Sequence, residues 1–522
     1  MSPGDHPSLR VTKYSIDAFM QLLSECSECT EAQVREKLHL GYFESYFRDV
    51  NVRTIVSEAD YIDLDYLTDY AAYYVRCFHH YRRDCTRLHF FSEDLSQDDF
   101  LALLSRAADP AAREDLQAAY KGFIVVRPLP QCVIGRTCLA HYDHAGHRHF
   151  PVAQPYTANL SGLELSAHTV PFQEQDQVTA ACATSALWSA LQITSRLFNH
   201  TPMPPVAITQ AATTGVPLRS RALPNTDGLT IEQMAHGIRA AGLEPFYIDA
   251  RDAFVLRSTL YSYLSCGIPV LLVVHLAGSS KNRLDPRPIS LGYHAVTVTG
   301  YSLQLSDLGD RLVRGPRLVS DHIGKVYAHD DQVGPHARMT LIRDRRAPCL
   351  TTSFRGPENV RQVRAYPYAL LLPLYHKIRI PQQLVCDLAF NLDRALYSFG
   401  VLPGVDEHLC WNVRLLTVND FKREVASRAD LNDTARVEIL TTPLPRFLWH
   451  AAGNRGNEPA LDLVLDATDI ASGHFIRLAF SSDPGLLRFI MHLADNEALA
   501  ATPPGQAIAD VAARTKAFVV SE

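Results

Sequence analysis

The chain has 522 residues, enough for roughly three domains of about 100 to 200 residues each, which excludes a small scaffold stapled by disulfides or metal. Hydrophobic residues make up 47% and charged residues 20% of the sequence, so wholesale disorder is also excluded. The 50 basic and 56 acidic side chains give a formal charge of -6. Because there is no basic excess, we expect no nucleic-acid partner.

The sequence also bears on the compartment. Its longest strongly apolar stretch, Pro269 to Ala277, is far shorter than the ~20 residues that cross a bilayer, so we expect no membrane partner. The N-terminal sequence MSPGDHPSLRVTKYS lacks the charged start, apolar middle and cleavage site of a secretory signal. The 11 cysteines are scattered and odd in number, unlike a secreted disulfide framework. These features predict a cytoplasmic protein with reduced thiols.

Two regions precede the centre of the chain. Residues 1–120 are predicted to be mostly helical, including the aromatic and charged segment Asp60 to Arg83. From Gly122 the sequence changes to short β-branched runs cut by Pro and Gly, FIVVRPLP and CVIGRTCLAHY, which are typical of paired strands. Residues 121–165 are therefore predicted to form a β-rich connector.

The central region, residues 166–345, combines helices with strands. After Gln177, the run VTAACATSALWSALQITSRLF has no Gly or Pro and predicts a helix with Cys182 in its first turns. A second helix is predicted after the N-cap Thr230, ending at Gly242. Three strand signals follow, at Ile268 to Val274, His294 to Tyr301, and Arg317 to His329 with its end at Asp330. Helices before several antiparallel strands predict an α+β fold.

Residues 346–522 are predicted to be a separate C-terminal α/β region. A helix is expected near Val385 to Ser398, and strands are expected in the runs VEILTT and LDLVLDAT. We expect the regions on either side of the centre to choose the substrate.

Cys182 is a candidate nucleophile. The N-terminus of its predicted helix offers unpaired N–H groups and about half a positive charge, and both favour a thiolate over a thiol. Most cysteines are small buried core residues, so the position alone does not identify a nucleophile. Gln175 and Gln177 lie just upstream, and the amide of either could form an oxyanion hole with the backbone N–H of Cys182.

A histidine and an acid follow on predicted strands. His294 begins an apolar strand, where an imidazole without a polar partner would be costly. The next strand ends in Asp330 and Asp331, although acidic residues at a strand end ordinarily signal a turn. Alternation puts Asp330 on the face of Ala328 and Asp331 on the opposite face, which favours Asp330 as the partner of the histidine and leaves Asp331 as the alternative.

The order along the chain is a glutamine, a cysteine at a helix start, a histidine on a strand and an aspartate at the end of the next strand. This order has a mechanism: the cysteine attacks a carbonyl, the histidine moves the proton, the aspartate fixes the tautomer and the glutamine holds the oxyanion. The segments that carry it are QDQVTAACATSALW, GIPVLLVV, GYHAVTVTGY and VYAHDDQVGP. In these segments the sequence resembles the papain-like cysteine peptidase superfamily, particularly the branch of bacteriocin-leader peptidases and phytochelatin synthase.

The resemblance implies a papain-like domain, in which the helix carrying the cysteine packs on an antiparallel sheet carrying the histidine and the aspartate. It implies Cys182 as nucleophile, His294 as base and Asp330 as orienting acid. For the oxyanion it implies a glutamine six residues before the cysteine, but Asp176 stands there. We favour Gln175 and keep Gln177 as the alternative.

The activity implied is that of a thiol-dependent hydrolase, a cysteine peptidase that cleaves a peptide or isopeptide bond in a protein or peptide substrate without a cofactor. The alternatives are acyl transfer by the same triad, with an amine in place of water, and a catalytically inactive papain-like scaffold that binds proteins.

Metal binding is the remaining interpretation. Cys26 and Cys29 form a C-x-x-C pair, but no second pair follows at zinc-ribbon spacing. The segment from Cys132 to His149 could supply two thiolates with His141 and His144. Because its cysteines fall on predicted strands and its histidines in a polar hairpin tip, we predict no metal site.

Overall fold

A computed structural model of the chain shows an α+β fold, as predicted, in two compact units. The described residues are 9–106, 109–130, 132–142, 146–176, 178–215, 222–281, 288–304, 316–342, 348–354, 356–398, 408–456, 458–469 and 475–515. The first unit comprises Met1–Arg251, Ile268–Ser302 and Lys325–Pro373, and the second comprises Asp252–Gly267, Leu303–Gly324 and Leu374–Glu522.

The N-terminal part of the first unit is an antiparallel sheet with helices between its strands. The elements are β1 (Leu9–Lys13), α1 (Ile16–Cys26), α2 (Glu31–Glu36), α3 (Leu38–Asp49), β2 (Thr54–Tyr61), α4 (Leu64–Ala72), a 3-10 turn (Tyr74–Arg76), β3 (Cys85–Phe91), α5 (Gln97–Ser105), α6 (Pro110–Ala119), β4 (Tyr120–Val126) and β5 (Ile134–Leu139). Strands β1 to β5 pair in that order, each antiparallel to the next. Helices predominate up to residue 120, but β1, β2 and β3 were not predicted.

Aromatic side chains join the helices to this sheet. Phe19 of α1, Phe47 of α3 and Phe90 of β3 are all fully buried. The ring of Phe47 stacks on that of Phe90 with centroids 4.5 Å apart, and it meets Phe19 edge-on at 5.4 Å. Each buried phenylalanine contributes about 1.5 to 3 kcal/mol through the hydrophobic effect, so this cluster anchors α3 on the sheet.

The middle of the chain supplies a second, larger sheet. The elements of this part of the chain are β6 (Arg148–His149), β7 (Gln154–Leu160), β8 (Leu163–Thr169), α7 (Cys182–Phe198), α8 (Pro205–Thr213), α9 (Ile231–Ala240), β9 (Glu244–Asp249), α10 (Ala253–Leu264), β10 (Val270–Ser280), β11 (Pro288–Leu303), β12 (Arg317–Leu318), a 3-10 turn (Val319–His322), β13 (Ile323–Asp330), β14 (Gly334–Ile342), β15 (Cys349–Thr351) and β16 (Val360–Leu374). Strands β7 and β8 pair with each other as a separate two-stranded sheet, and β12 belongs to another sheet. Strands β5 and β7, most of β4 and the start of β8 lie within residues 121–165, the predicted β-rich connector, whose bounds stay a prediction.

This sheet has the strand order β10-β11-β13-β14-β15-β16-β9, with β6 beside β11. Strand β16 also pairs with β10, so the sheet closes on itself. Strands β15 and β16 lie beyond residue 345, where the predicted C-terminal region begins. The predicted region boundaries stay predictions. The two units are defined by the compactness of the fold, whereas the predicted regions follow changes in sequence composition.

Helix α7 packs on this sheet. Its fully buried Leu187 and Leu191 share a core with Leu271 of β10. The hydroxyl of Thr297 in β11 donates a hydrogen bond to the carbonyl of Ala186 at 2.6 Å. The helix begins at Cys182, as predicted. The cysteine therefore lies at the N-terminus of a largely buried helix.

The prediction for α9 is also confirmed. Thr230 is its N-cap and accepts a hydrogen bond from the backbone of Gln233, whose side chain bonds back to Thr230. Gly242 follows the helix with φ of +82°, a left-handed conformation that ends helices and favours glycine.

The C-terminal chain contributes helices and strands to the second unit. They are α11 (Gln382–Ser398), β17 (Cys410–Thr417), α12 (Val418–Ala426), α13 (Asp433–Thr441), β18 (Phe447–Arg455), β19 (Glu458–Asp466), β20 (Ile476–Phe480), α14 (Pro484–Ala494), α15 (Glu497–Ala500) and α16 (Pro503–Ala512). Strands β12, β17, β18, β19 and β20 form a five-stranded sheet in that order. In the described part of the chain, we find no helix with the length and apolar character needed to cross a membrane.

Two of the three C-terminal predictions are confirmed and one is wrong. The helix near 385–398 is α11, and LDLVLDAT forms most of β19. VEILTT was predicted as a strand, but most of it belongs to α13. Asn432 caps that helix by accepting a hydrogen bond from Ala435 N at 2.8 Å, and Ala435 and Ile439 are buried one turn apart. Capping and burial outweigh the β propensity of the sequence here.

Candidate active site

Cys182 and His294 line the same open cavity of about 630 Å³ in the first unit. Cys182 is partly exposed, whereas the His294 side chain is only 4% exposed. A thiol that substrate can reach beside a buried imidazole is the arrangement that nucleophilic catalysis requires.

The loop before Cys182 is held by one buried carboxylate. Oδ1 of Asp176 accepts hydrogen bonds from the backbone N–H groups of Val178, Thr179 and Ala180 at 2.7 to 2.9 Å. Its Oδ2 accepts from the hydroxyls of Tyr74 at 2.8 Å and Thr179 at 2.5 Å. These bonds fold the chain into the turn that delivers Cys182 to the start of α7.

His294 is paired with an acid on the neighbouring strand. Its Nε2 lies 3.0 Å from Oδ1 of Asp330, and the Asp330 side chain is 1% exposed. The ring lines the same cavity as Cys182, whose thiol is near enough to raise the pKa of the imidazole. Because Nε2 is engaged by the carboxylate, Nδ1 is the nitrogen that is left to take the thiol proton.

The electrostatics of the pair favour a charged imidazole. Burial by itself would lower the pKa of His294, but the Asp330 carboxylate, its hydrogen bond and that of Cys182 raise it well above the ordinary range. Burial would raise the pKa of Asp330, yet the attraction of His294 holds it below its usual value. Asp330 is therefore ionised, and it stabilises a proton on the imidazole.

Asp331 also approaches the imidazole, which strand alternation did not predict. Its Oδ1 lies 3.7 Å from Nε2 of His294. The pairing of β13 with β14 shifts register between Ala328 and Asp330, so the regular alternation of faces is broken there. Neither carboxylate oxygen of Asp331 has a hydrogen-bond partner among the described residues, and burial raises its pKa to about 7.

Helix α3 contacts the acid-bearing turn, which carries Asp330 and Asp331 and ends at Gly334. The buried ring of His39 donates a hydrogen bond through Nε2 to the backbone carbonyl of Asp331 at 2.8 Å. Burial lowers the pKa of His39, so the ring is neutral and Nε2 carries the proton. A β-carbon at Gly334 would lie 2.4 Å from the ring of Tyr42, so only glycine fits at the close of this turn. These contacts join residues almost 300 positions apart, so no local pattern in the sequence predicts them.

The remaining element of the site is the donor that would hold the oxyanion. Gln175 is partly exposed in the loop before α7, and Gln177 lies outside the described residues. The described residues that line the cavity include Asn225 but not Gln175. Asn225 is 4% exposed, and its backbone N–H donates to Val178 O at 2.8 Å, which ties it to the loop before the cysteine. No local signal in the sequence marked this asparagine.

The residues of the predicted zinc alternatives have other surroundings. Burial raises the pKa of both Cys132 and Cys138 to about 12, so these thiols keep their protons at neutral pH. His144 lies outside the described residues. Within the described ranges, the group of metal-ligand types whose donor atoms lie within 4.8 Å of one another is His294, Asp330 and Asp331. The hydrogen bond between His294 and Asp330 already accounts for two of them.

Comparisons with known proteins do not assign this site. No family model matches the chain, and no curated protein matches it. The papain-like resemblance of the central segments therefore stays a prediction.

Proposed function

We propose that the chain is a thiol-dependent hydrolase, a papain-like cysteine peptidase that cleaves a peptide or isopeptide bond. The observation that carries this proposal is that Cys182 and His294 line one cavity, while Nε2 of the same imidazole lies 3.0 Å from Oδ1 of the buried Asp330. Its expected substrate is a protein or peptide, and its chemistry needs no cofactor.

The first half of the reaction forms a thioester. The Cys182 sulfur loses its proton to Nδ1 of His294 and bonds to the scissile carbonyl carbon, whose oxygen becomes negative. The carbon–nitrogen bond then breaks, and His294 returns the proton to the leaving amine. Asp330 holds the ring in one tautomer and stabilises its positive charge.

The second half regenerates the enzyme. Water gives a proton to His294 and attacks the thioester carbonyl, and the sulfur leaves and recovers that proton as the acid product departs. Acyl transfer would follow the same course with an amine in place of water.

The buried charges favour catalysis over a purely structural scaffold. Taking an imidazole and two carboxylates out of water costs several kcal/mol per ion before pairing offsets it. Neither oxygen of Asp331 has a hydrogen-bond partner among the described residues. Groups with shifted pKa values cluster at catalytic sites, and a general base next to a nucleophile makes use of such a shift.

The test is cleavage of a proteome-derived peptide library, with new termini read by mass spectrometry. We expect cleavage by the wild type and none by Cys182→Ala. Cys77→Ala is the matched control, because Cys77 is also a partly exposed thiol of the first unit but does not line the cavity. Cleavage that survives in Cys182→Ala would refute the proposal.

A further inference from the structure

The cavity beside Cys182 and His294 is lined by acidic and aromatic side chains. Two carboxylates, those of Asp227 and Glu232, and two aromatic rings, those of Tyr293 and Tyr368, line it. No lysine or arginine occurs among the described residues of the lining. The charge that these residues present to a bound ligand is therefore negative.

The position of Glu232 keeps that charge in place. It lies in the first turn of α9, where the positive end of the helix dipole favours a carboxylate. Hydrogen bonds from its own backbone and from Thr230 lower its pKa, so it is ionised at neutral pH. Glu232 offsets the partial positive charge of the helix end, and the exposed Asp227 forms no ion pair with any residue that the structure describes.

The rest of the wall suits a long side chain that ends in a cation. Met234 and Val273 are buried apolar residues that can pack on an aliphatic stem. The rings of Tyr293 and Tyr368 lie with centroids 5.0 Å apart, and Tyr293 is 62% exposed. An exposed tyrosine face attracts ammonium and guanidinium groups through the cation–π interaction.

We propose that this cavity receives a lysine or arginine side chain of the substrate, next to the scissile bond. The inference rests on the proposed function, because it identifies the residue that the peptidase prefers beside the carbonyl that Cys182 attacks. It follows from the combination of carboxylates, tyrosines and apolar base in one cavity with the nucleophile.

The test uses three acyloxymethyl ketone probes, acetyl-Ala-Arg, acetyl-Ala-Leu and acetyl-Ala-Glu, on the full-length chain. In each case the Cys182 sulfur displaces the acyloxy group as a carboxylate and forms a thioether, which mass spectrometry detects. We expect the arginine probe to react about tenfold faster than the glutamate probe, the effect of two exposed carboxylates at favourable geometry. High salt should reduce this ratio, because the carboxylates are exposed and screened.

Substitutions test whether the carboxylates that line the cavity cause the preference for arginine over glutamate. The double variant Asp227→Asn, Glu232→Gln should bring the ratio of arginine to glutamate labelling close to one, while the rate of the leucine probe stays close to that of the wild type. The matched control is Asp115→Asn, Glu114→Gln, which removes two exposed carboxylates of α6 that do not line the cavity and should keep the ratio.

Failure of the inference can be told apart from failure of the proposed function by alkylation with iodoacetamide, which carries no side chain. If His294 accelerates alkylation of Cys182 but the arginine and glutamate probes react equally fast, the peptidase proposal stands and the cationic preference is overturned. The preference is overturned as well if the double variant keeps the wild-type ratio. If alkylation does not depend on His294, both proposals fall.

Discussion

Nε2 of His294 lies 3.0 Å from Oδ1 of Asp330, and the side chains of both residues are almost completely buried. This bond leaves Nδ1 of the ring free for the Cys182 thiol, and it makes the imidazole a stronger base because the carboxylate stabilises its proton. The chemistry of the whole site depends on this relationship, and the first two predictions test its two ends.

Removal of the imidazole should make Cys182 less reactive. In His294→Ala, alkylation of Cys182 by iodoacetamide at pH 6.5 should slow by about tenfold or more, because no base remains to take the thiol proton. The rate is measured by mass spectrometry of the peptide that contains Cys182. His79→Ala, which removes an exposed imidazole paired with Glu28, should have no effect. Equal rates in His294→Ala and the wild type would contradict the prediction.

The two aspartates should differ in their effect on turnover. Asp330→Asn should lower kcat by about 100-fold or more, because an amide can hold the ring in the wrong tautomer and stabilises its positive charge poorly. Asp331→Asn should cost much less, since its oxygen is 3.7 Å from Nε2 rather than 3.0 Å. Kinetics on any peptide that the wild type cleaves would measure both. The opposite ranking would assign the orienting role to Asp331.

Asp331 should make the stability of the fold depend on pH. Its pKa is about 7 in the folded protein, against about 4 in an unfolded chain. Between these values the folded state holds a proton that the unfolded state has lost, so stability falls as the pH rises through this window. Asp331→Asn cannot lose a proton, and its melting temperature relative to wild type should rise from pH 5 to pH 8. Asp115→Asn, an exposed control, should keep a constant difference, and a constant difference in Asp331→Asn would refute the prediction.

Local patterns in the sequence predict part of this site. An uninterrupted apolar run placed Cys182 at a helix start, and strand signals located His294 and Asp330 on strands. The approach of Asp331 to the ring of His294 was not predicted, because a register shift in a paired strand depends on the partner strand. The contact of His39 with the turn that carries Asp330 and Asp331 was not predicted either, because this contact results from the tertiary packing of α3.

The fold shows the same division between local and non-local information. The capping residues around α9 are adjacent in sequence, and its bounds were predicted well. Strands β2 and β3 were not predicted, because pairing with distant strands stabilises them and their neighbours in sequence are helices. VEILTT has β-branched residues but lies behind a helix cap, and the cap decided its structure.

The oxyanion donor can be identified by a pair of substitutions. Asn225 faces the cavity and Gln175 is not among the described residues of its lining, so we expect the larger loss in Asn225→Ala. Loss of one oxyanion donor lowers kcat by about 100- to 1,000-fold, and KM changes little because the charge develops only in the transition state. Steady-state kinetics of Asn225→Ala and Gln175→Ala would measure this. A larger loss of kcat in Gln175→Ala would restore the role that the sequence predicted for that glutamine.

Asp176 should act as a positioning residue for the nucleophile. Its carboxylate accepts hydrogen bonds from the backbone N–H groups of residues 178–180, and each buried N–H that loses its partner costs about 1 to 3 kcal/mol. In Asp176→Ala this loop should rearrange, so that both kcat and the alkylation rate of Cys182 fall and the melting temperature drops. Asp176→Asn keeps one acceptor oxygen and should restore part of the activity.

A matched comparison separates positioning from general destabilisation. Tyr74→Phe removes only the bond to Oδ2 of Asp176 and leaves the three backbone bonds to Oδ1 in place. It should therefore lower the melting temperature slightly, while the alkylation rate of Cys182 stays close to that of the wild type. The contrast between the two variants is the informative quantity, because a purely structural role of Asp176 would reduce stability without changing the rate of the folded fraction. If Asp176→Ala alkylates and turns over like the wild type once the folded fraction is counted, the loop does not position Cys182 through this carboxylate.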